Sequence, residues 1–597
     1  MSALDFTARA LALRAVAQIR DGGSVIVNGA VADGVTDDRA KLNAFIAEGG
    51  HVHFSRADYR LSGPLVVPSN TRIDMARGAR LMPGAGAPLM VQVRGSAPTS
   101  WVALTSNLNQ GMKAFTHTSS GFSVGQWLEF RSNAPIPGPN TAGGTIACVR
   151  KIVKKSGSGP FTYTLNKAAM SGYLVADAAT CGVATMVENV TIEGLTINSE
   201  DYSALIGFGL YLEYCANVRI INPTIIGSKE RAGADIVSPD AIKINHGVFD
   251  VEIFGADLRH IGWYGISIVG SAEQVRIYGG KAEDARHAVS VVNSSPYGEP
   301  IDVLVDGMVA NNSTLSAFDT HDTGRDIVFN NCVSIGAGDC GFQLRTPGAR
   351  VVGGLARGSA QDGFKIVAGA TDCVLRSCRA ESNGRIGYNL GEHARMIDCD
   401  ASDHTGPVSG WCAVQIGKGA ELRGGLYRRN STSVIRITSN DPVTIDGLIA
   451  PADAAQTVFI TAKTTLGGRY NRVSVKNCLL GGYANNSLFL REQATRPAGD
   501  LPPVTSGNRV TDGGAGAEWR GEATLVAGTA TVATTAVRRM TATNWTEDAI
   551  SRIDLRRIAP GGTVGNLYVE SVTNGASFVI KSSSATDTSK VQWSVEL

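Results

Sequence analysis

The chain contains no C-x-x-C pair, although it carries ten cysteines among its 597 residues. That excludes a zinc ribbon and a dithiol redox motif. No apolar run approaches the roughly 18 residues needed to span a bilayer as a helix, so membrane insertion by that route is not expected. Neither sign of charge is in excess: 55 Lys+Arg face 53 Asp+Glu, a net of +2. Nucleic-acid and membrane-surface partners usually need a basic surplus, and neither is expected here. The opening stretch Met1 to Ala15 has Asp5 and no apolar signal-peptide core. Synthesis in a cytoplasm without a signal peptide is the resulting expectation, and a disulfide framework is the weaker one. There is no P-loop, no dinucleotide-binding fingerprint and no H-E-x-x-H, and no cofactor or metal is expected.

Glycine is plentiful, at 70 residues, with 43% hydrophobic and 18% charged residues. This describes a chain with a large core and many turns rather than a disordered one. A short phrase recurs from Asn189 onward, as in NVTIEGLTI, NVRIINPTI, DVEIFGADL and QVRIYGGKA. Its turn-forming residue falls at Gly194, Asn222, Gly255, Gly279, Gly307, Asn331, Gly354, Ser377, Asp398, Gly424, Gly447 and Asn477, spaced by 21 to 33 residues. A second phrase runs between, with a large apolar residue at Leu210, Ile242, Ile266, Val289, Phe318, Phe342, Phe364, Tyr388, Val414 and Ile435.

Both phrases alternate with period two, which is strand-like. The repeat is too short to hold a crossover helix each time. Two or three short strands per coil, joined by Gly/Asn/Asp bends and stacked at about 4.8 Å, give an all-β parallel β-helix. Cys332, Cys378, Cys399 and Cys478 then occupy the place of Leu195, Met308, Leu355 and Leu448, as small buried hydrophobes.

The remaining segments differ in texture. Residues 1–20 look helical and amphipathic, and docking to a larger particle is a possibility drawn from their position. Residues 21–94 form an N-terminal cap, in which DGVTDD precedes RAKLNAFIAEGG. Thr36 is the expected helix N-cap, with Asp37 and Asp38 in the first turn. Residues 95–188 break the repeat as a small β-rich insert, whose run Arg150-Lys151 to Lys154-Lys155 is expected to be a solvated strand face. The coils occupy 189–482, residues 483–520 read as a linker, and 521–597 form a C-terminal β-domain.

Two of these segments carry a resemblance. DGVTDD, GGHVHF and PLVVPSNTRID resemble the opening of pectate-lyase-superfamily right-handed parallel β-helix proteins, which include many bacteriophage tailspikes. GGTVGNLYV and SFVI followed by SSSATDTS resemble the terminal β-domain of phage tail fibres and tailspikes. The resemblance implies a virion protein, a homotrimer, tail or baseplate proteins as partners, and a bacterial surface polysaccharide as ligand. It leaves three functions open: a tailspike that binds and cleaves a polysaccharide, a tail fibre that only binds one, and a cellular polysaccharide lyase or epimerase.

A stack of coils offers a ladder of outward side chains to an extended sugar chain. The second phrase places Lys243, Gln343, Lys365 and Asn389 on that ladder, with Trp263, Tyr264 and Trp411 nearby as sugar-stacking aromatics. One rung departs from the pattern. In SAFDTHDTG, Asp319 and His321 share the outward parity and Asp322 follows at the turn. Asp339 and Arg345 belong to the next rung, so these residues are expected to form a charged patch with Lys365. A hydrolase would use two carboxylates, Asp319 with Asp322 or Asp339, tuned by His321. A lyase acting on uronic acids would use Arg345, His321 and Lys365 as base and carboxylate clamp. Hydrolysis is favoured because carboxylates outnumber any recognisable base arrangement. The stretch Arg345 to Arg350 matches the R-x-P-x-x-R of pectate lyases, but Arg350 opens the next strand and the match is set aside. Asp403-His404 and Glu392-His393 are expected at surface bends.

Overall fold

In a computed structural model the chain is described from residue 29 to 596. The gaps in that range are 85–86, 88, 120, 138–142, 200–206, 228–239, 293–296, 405–411, 431–432, 440, 453–457, 463–472, 482–488, 492–503, 507–508, 511–519, 535–538, 541–548, 551 and 574–575. The helical reading of residues 1–20 and the site residue Trp411 lie outside the described residues. Two compact units emerge: residues 1–337 with 345–347, and residues 338–344 with 348–597.

In the first unit three parallel sheets run along the coils. One stacks Phe208–Glu213, Asp240–Ile244, Tyr264–Val269, His287–Val292 and Phe318–His321. A second stacks Val187–Glu193, Cys215–Ile221, Phe249–Phe254, Glu273–Tyr278, Ile301–Asp306 and Arg325–Asn330; short three-residue strands make the third. Register is in phase with the sequence repeat, so Leu210, Ile242, Ile266, Val289 and Phe318 fall above one another, fully buried. The second unit repeats the plan, and Phe342, Phe364 and Tyr388 stack as nearly parallel rings 4.8 and 5.0 Å apart. The parallel β-helix read from the repeat is therefore the observed fold.

The bends between strands are left-handed at eleven of the twelve turn positions of the repeat, for instance Asn222 at φ 51° and Asp398 at φ 51°. Gly, Asn and Asp suit this conformation because it costs them least. The exception corrects the sequence alignment. At Gly353 the bend comes one residue early, with φ 65°. Gly354 then points inward, where a Cβ would lie 2.7 Å from Val351 and 3.4 Å from the rings of Phe342 and Phe364. Gly354, not Leu355, holds the place of the buried cysteines, and its missing side chain leaves room for the ring stack. All ten cysteines are buried and free.

The cap helix starts later than expected. It spans Arg39–Ile46 with Asp38 as N-cap, and Asp33–Asp37 is a strand. The acidic side chains serve the preceding loop instead. Asp38 accepts hydrogen bonds from the backbone N–H of Val31 and Ala32, and Asp33 from those of Val35 and Thr36.

Between Val102 and Ala184 six antiparallel strands form a separate sheet with its own core around Phe115, Phe130, Tyr163 and Tyr173. It joins the coils through buried ion pairs. The Glu129 carboxylate lies 2.8 Å from His246 Nε2 and accepts a hydrogen bond of 2.8 Å from the Tyr214 hydroxyl. Arg150 is 0% exposed and meets Glu273 at 2.7 Å. The expectation of a solvated basic face fails at Arg150, because the coil supplies a buried carboxylate opposite it.

In the second unit His404 is also buried rather than superficial. Its ring accepts the Asn383 N–H at 3.1 Å, and burial lowers its pKa to about 4. Residues 520–596 add two three-stranded antiparallel sheets around Leu525, Phe578, Ile580 and Trp593.

Candidate active site

Register alone assembles the site. Parallel pairing aligns Tyr211 with Lys243, Lys243 with Ser267, Ser267 with Ser290, and Ser290 with Asp319. The same pairing sets Tyr264 beside His287 and Val292 beside His321. Alternation puts His321 on the same side of its strand as Asp319.

Asp319 is 0% exposed, yet three basic groups surround it. His321 Nε2 lies 2.9 Å from Oδ2, His287 Nε2 lies 3.9 Å from Oδ2, and Arg345 Nε lies 3.3 Å from Oδ1. Thr320, the inward neighbour of Asp319, anchors the arginine: its hydroxyl oxygen accepts the N–H groups of Arg345 at 2.8 Å and Thr346 at 3.2 Å. The Thr346 hydroxyl in turn donates to the Thr323 carbonyl. His321 and Arg345 have side chains 25% and 29% exposed, so the cluster presents an imidazole and a guanidinium to solvent above a buried carboxylate.

The electrostatics follow from that arrangement. Burial opposes ionisation of Asp319, but His321, His287 and Arg345 outweigh it and hold the carboxyl below its ordinary range. His287 is pushed down to about 4, chiefly by burial and against the attraction of Asp319. Its Nδ1 faces the Ser316 carbonyl at 2.5 Å, which fixes the proton there and turns Nε2 toward Asp319. Burial raises the pKa of Tyr264, whose ring lies 5.3 Å from that of His287.

A pH prediction comes from the two depressed histidines, His287 and His404. An unfolded histidine takes up its proton near pH 6.5, whereas these stay neutral until about pH 4. Below pH 6.5 the unfolded chain therefore binds more protons, and stability falls as pH drops from about 6.5 to about 4. The cost reaches on the order of 3 kcal/mol per histidine. Thermal scans between pH 7 and 4 check this; His404→Gln should flatten the slope, and an unchanged slope contradicts it.

His287, Asp319 and His321 each offer a donor atom within 4.8 Å of the others, a set able to ligate a metal ion. The guanidinium of Arg345 on the same carboxylate argues against that use, since a cation bound there would face a fixed positive charge. Asp322 occupies the left-handed turn after the strand, at φ 59°, outside this donor group. Asp339 and Lys365 belong to the second unit. There Gln343, Lys365, Asn389 and Gln415 form one column in register. Asp362, fully buried beside them, receives Asn389 Nδ2 at 3.0 Å and Arg385 Nε at 3.0 Å, and burial pushes its pKa up. Trp263 is covered on one face by Arg286, whose guanidinium carbon lies 3.6 Å from the ring centre.

Sequence reasoning missed His287 and Asp362. Each precedes or opens a strand phrase rather than sitting on its outward ladder, and only the pairing of Tyr264 with His287 gives the former a role.

By fold this is a parallel β-helix with a polar, partly buried charge cluster on one sheet. It resembles the tailspike protein gp49 from Pseudomonas phage LKA1 with a TM-score of 0.58 at 15% identity, covering 95% of this chain and 98% of that one. The Gp54 tailspike of Acinetobacter baumannii bacteriophage AP22, solved in complex with A. baumannii capsular saccharide, gives 0.53 at 14% identity, covering 94% and 93%. In sequence the chain is 33% identical over 566 residues to the capsule K1-specific depolymerase of Klebsiella phage K64-1. The match spans 93% of this chain but 62% of that relative's length. Residues 100–185 match the Rider domain, and residues 517–595 the C-terminal domain, of the K1 capsule-specific polysaccharide lyase family.

Proposed function

We propose that the chain is a phage tailspike depolymerase that binds an acidic capsular polysaccharide of its host and cuts it by β-elimination. The carrying observation is the buried carboxylate of Asp319, held ionised chiefly by the His321 imidazole and the Arg345 guanidinium. A carboxyl kept ionised cannot be the general acid of a glycosidase, and one with no exposure cannot reach an anomeric carbon as nucleophile. Elimination fits better than the hydrolysis expected from carboxylate number. In that reading Arg345 neutralises the uronate carboxylate and makes the α-proton acidic. His321, oriented through Nε2 by Asp319, takes that proton with its other nitrogen. The electron pair forms the ring double bond and the glycosidic oxygen leaves, with Tyr264, kept protonated by burial, as the proton donor.

The name of the K64-1 relative and the matched lyase domains support a capsular substrate. A homotrimer mounted on the virion tail, the insert as a docked accessory domain and the C-terminal β-domain as the trimerisation or receptor-binding module belong to the same proposal.

The test is to incubate the protein with a panel of purified acidic capsular polysaccharides. Ultraviolet absorbance of an unsaturated uronate should grow in step with new chain ends, and His321→Ala should slow both by roughly 10³-fold. New reducing ends without absorbance would favour hydrolysis; binding without any new ends would leave a receptor-binding fibre.

A further inference from the structure

Three to four strand spacings from Asp319, on the same sheet, lies a second cluster outside the chemistry above. Lys243 aligns with Tyr211 on one side and Ser267 on the other. Its Nζ lies 4.9 Å from the centre of the Phe208 ring, and that ring lies 5.4 Å from the Tyr211 ring. Among the described residues no carboxylate is within ion-pair distance of Lys243, whereas the neighbouring cation, Arg94, is paired to Glu213 at 2.6 Å. Tyr211 is held in place: Asn245 Nδ2 donates to its hydroxyl at 2.6 Å and to Glu213 at 2.7 Å. The column between carries Ser267 and Ser290, both buried, and the Ser267 hydroxyl donates to the buried Asp240 carboxylate at 2.6 Å.

These features suit an anionic sugar. Aromatic faces accept the C–H face of a pyranose, and a cation with no carboxylate partner among the described residues gains most from a substrate carboxylate. The two clusters lie on one sheet, so a chain running across its strands would meet both.

We propose that Phe208, Tyr211 and Lys243 form a distal subsite for a negatively charged sugar of the same polymer strand that is cut at Asp319 and His321. Three spacings of about 4.8 Å to Lys243 and four to Phe208 and Tyr211 put the subsite roughly 14 to 19 Å from the scissile position. The subsite therefore acts only on chains long enough to bridge both places. The proposal rests on the depolymerase reading for its substrate, but its test separates the two.

The probes are the acidic polysaccharide selected by the panel, its carboxyl-reduced derivative, and the di- and trisaccharide fraction of its digest. Lys243→Ala should raise KM for the polymer about tenfold with little change in kcat, and Lys243→Arg should restore most of it. The short fraction should bind wild type and variant alike, and the carboxyl-reduced polymer should bind the wild type no better than the variant. An unchanged KM for the polymer, or an equal loss on short fragments, overturns the subsite while leaving cleavage intact. Should the wild type cleave nothing, the same comparison read as binding affinity decides the subsite by itself: weaker binding by Lys243→Ala supports it and equal binding overturns it.

Discussion

Asp319→Asn is expected to lower kcat/KM on the polymer by roughly 10³-fold while leaving the fold intact. The substitution keeps the shape of a fully buried side chain and removes only its charge. What is lost is the charge facing two groups at once: His321 at 2.9 Å and Arg345 at 3.3 Å. An amide can present its NH₂ to His321 and thereby invert the tautomer, taking the free nitrogen out of its basic form. It also ceases to hold the guanidinium through charge, so the clamp on a substrate carboxylate loosens. Initial rates on the polymer, with thermal melting as the control for folding, check the prediction. A variant within tenfold of wild type with an unchanged melt removes Asp319 from the mechanism.

The largest expected effect on stability comes from Arg150→Met. The guanidinium is wholly buried and satisfies several acceptors at once: Glu273 at 2.7 Å, the Val149 carbonyl at 2.7 Å and the Ala168 carbonyl at 2.9 Å. Methionine fills part of the volume but leaves those acceptors without donors and, among the described residues, Glu273 with Lys167 at 3.1 Å as its remaining counter-ion. Breaking a buried pair from one side costs about 3–5 kcal/mol. Because the pair ties the antiparallel insert to the coils, the loss should appear first as release of that insert. Limited proteolysis should cut within the 102–184 region of the variant well before the coils, and the melting midpoint should fall. Arg150→Lys should not rescue it, since an ammonium cannot span the same acceptors. Equal proteolysis of variant and wild type contradicts the assignment.

The coil architecture was legible because it is periodic. Alternation and a bend every two to three dozen residues fix which side chains face inward, and Leu210 through Ile435 lie where that pattern puts them. The one slip, Gly354 for Leu355, came from equating glycines whose backbones differ by one residue. The site was partly legible: Asp319, His321 and Arg345 come from rung spacing and parity. His287 was not, because it enters the cluster from the start of its strand, where alternation carries no information. Burial was also out of reach. Outward parity suggests solvent, yet Ser267, Ser290 and Asp319 are covered by what flanks them, and Arg150 by a partner more than 120 positions away in sequence. Long-range pairing of this kind has no local signature.

The central claim is that stacking in register makes Asp319 and His321 one working unit. A double-mutant cycle tests it most directly, with kcat/KM measured for Asp319→Asn, His321→Ala and the pair together. If the carboxylate acts through the imidazole, the double variant should be no slower than the worse single variant. Losses that multiply would mean that the two residues act independently, and the proposed centre would not stand.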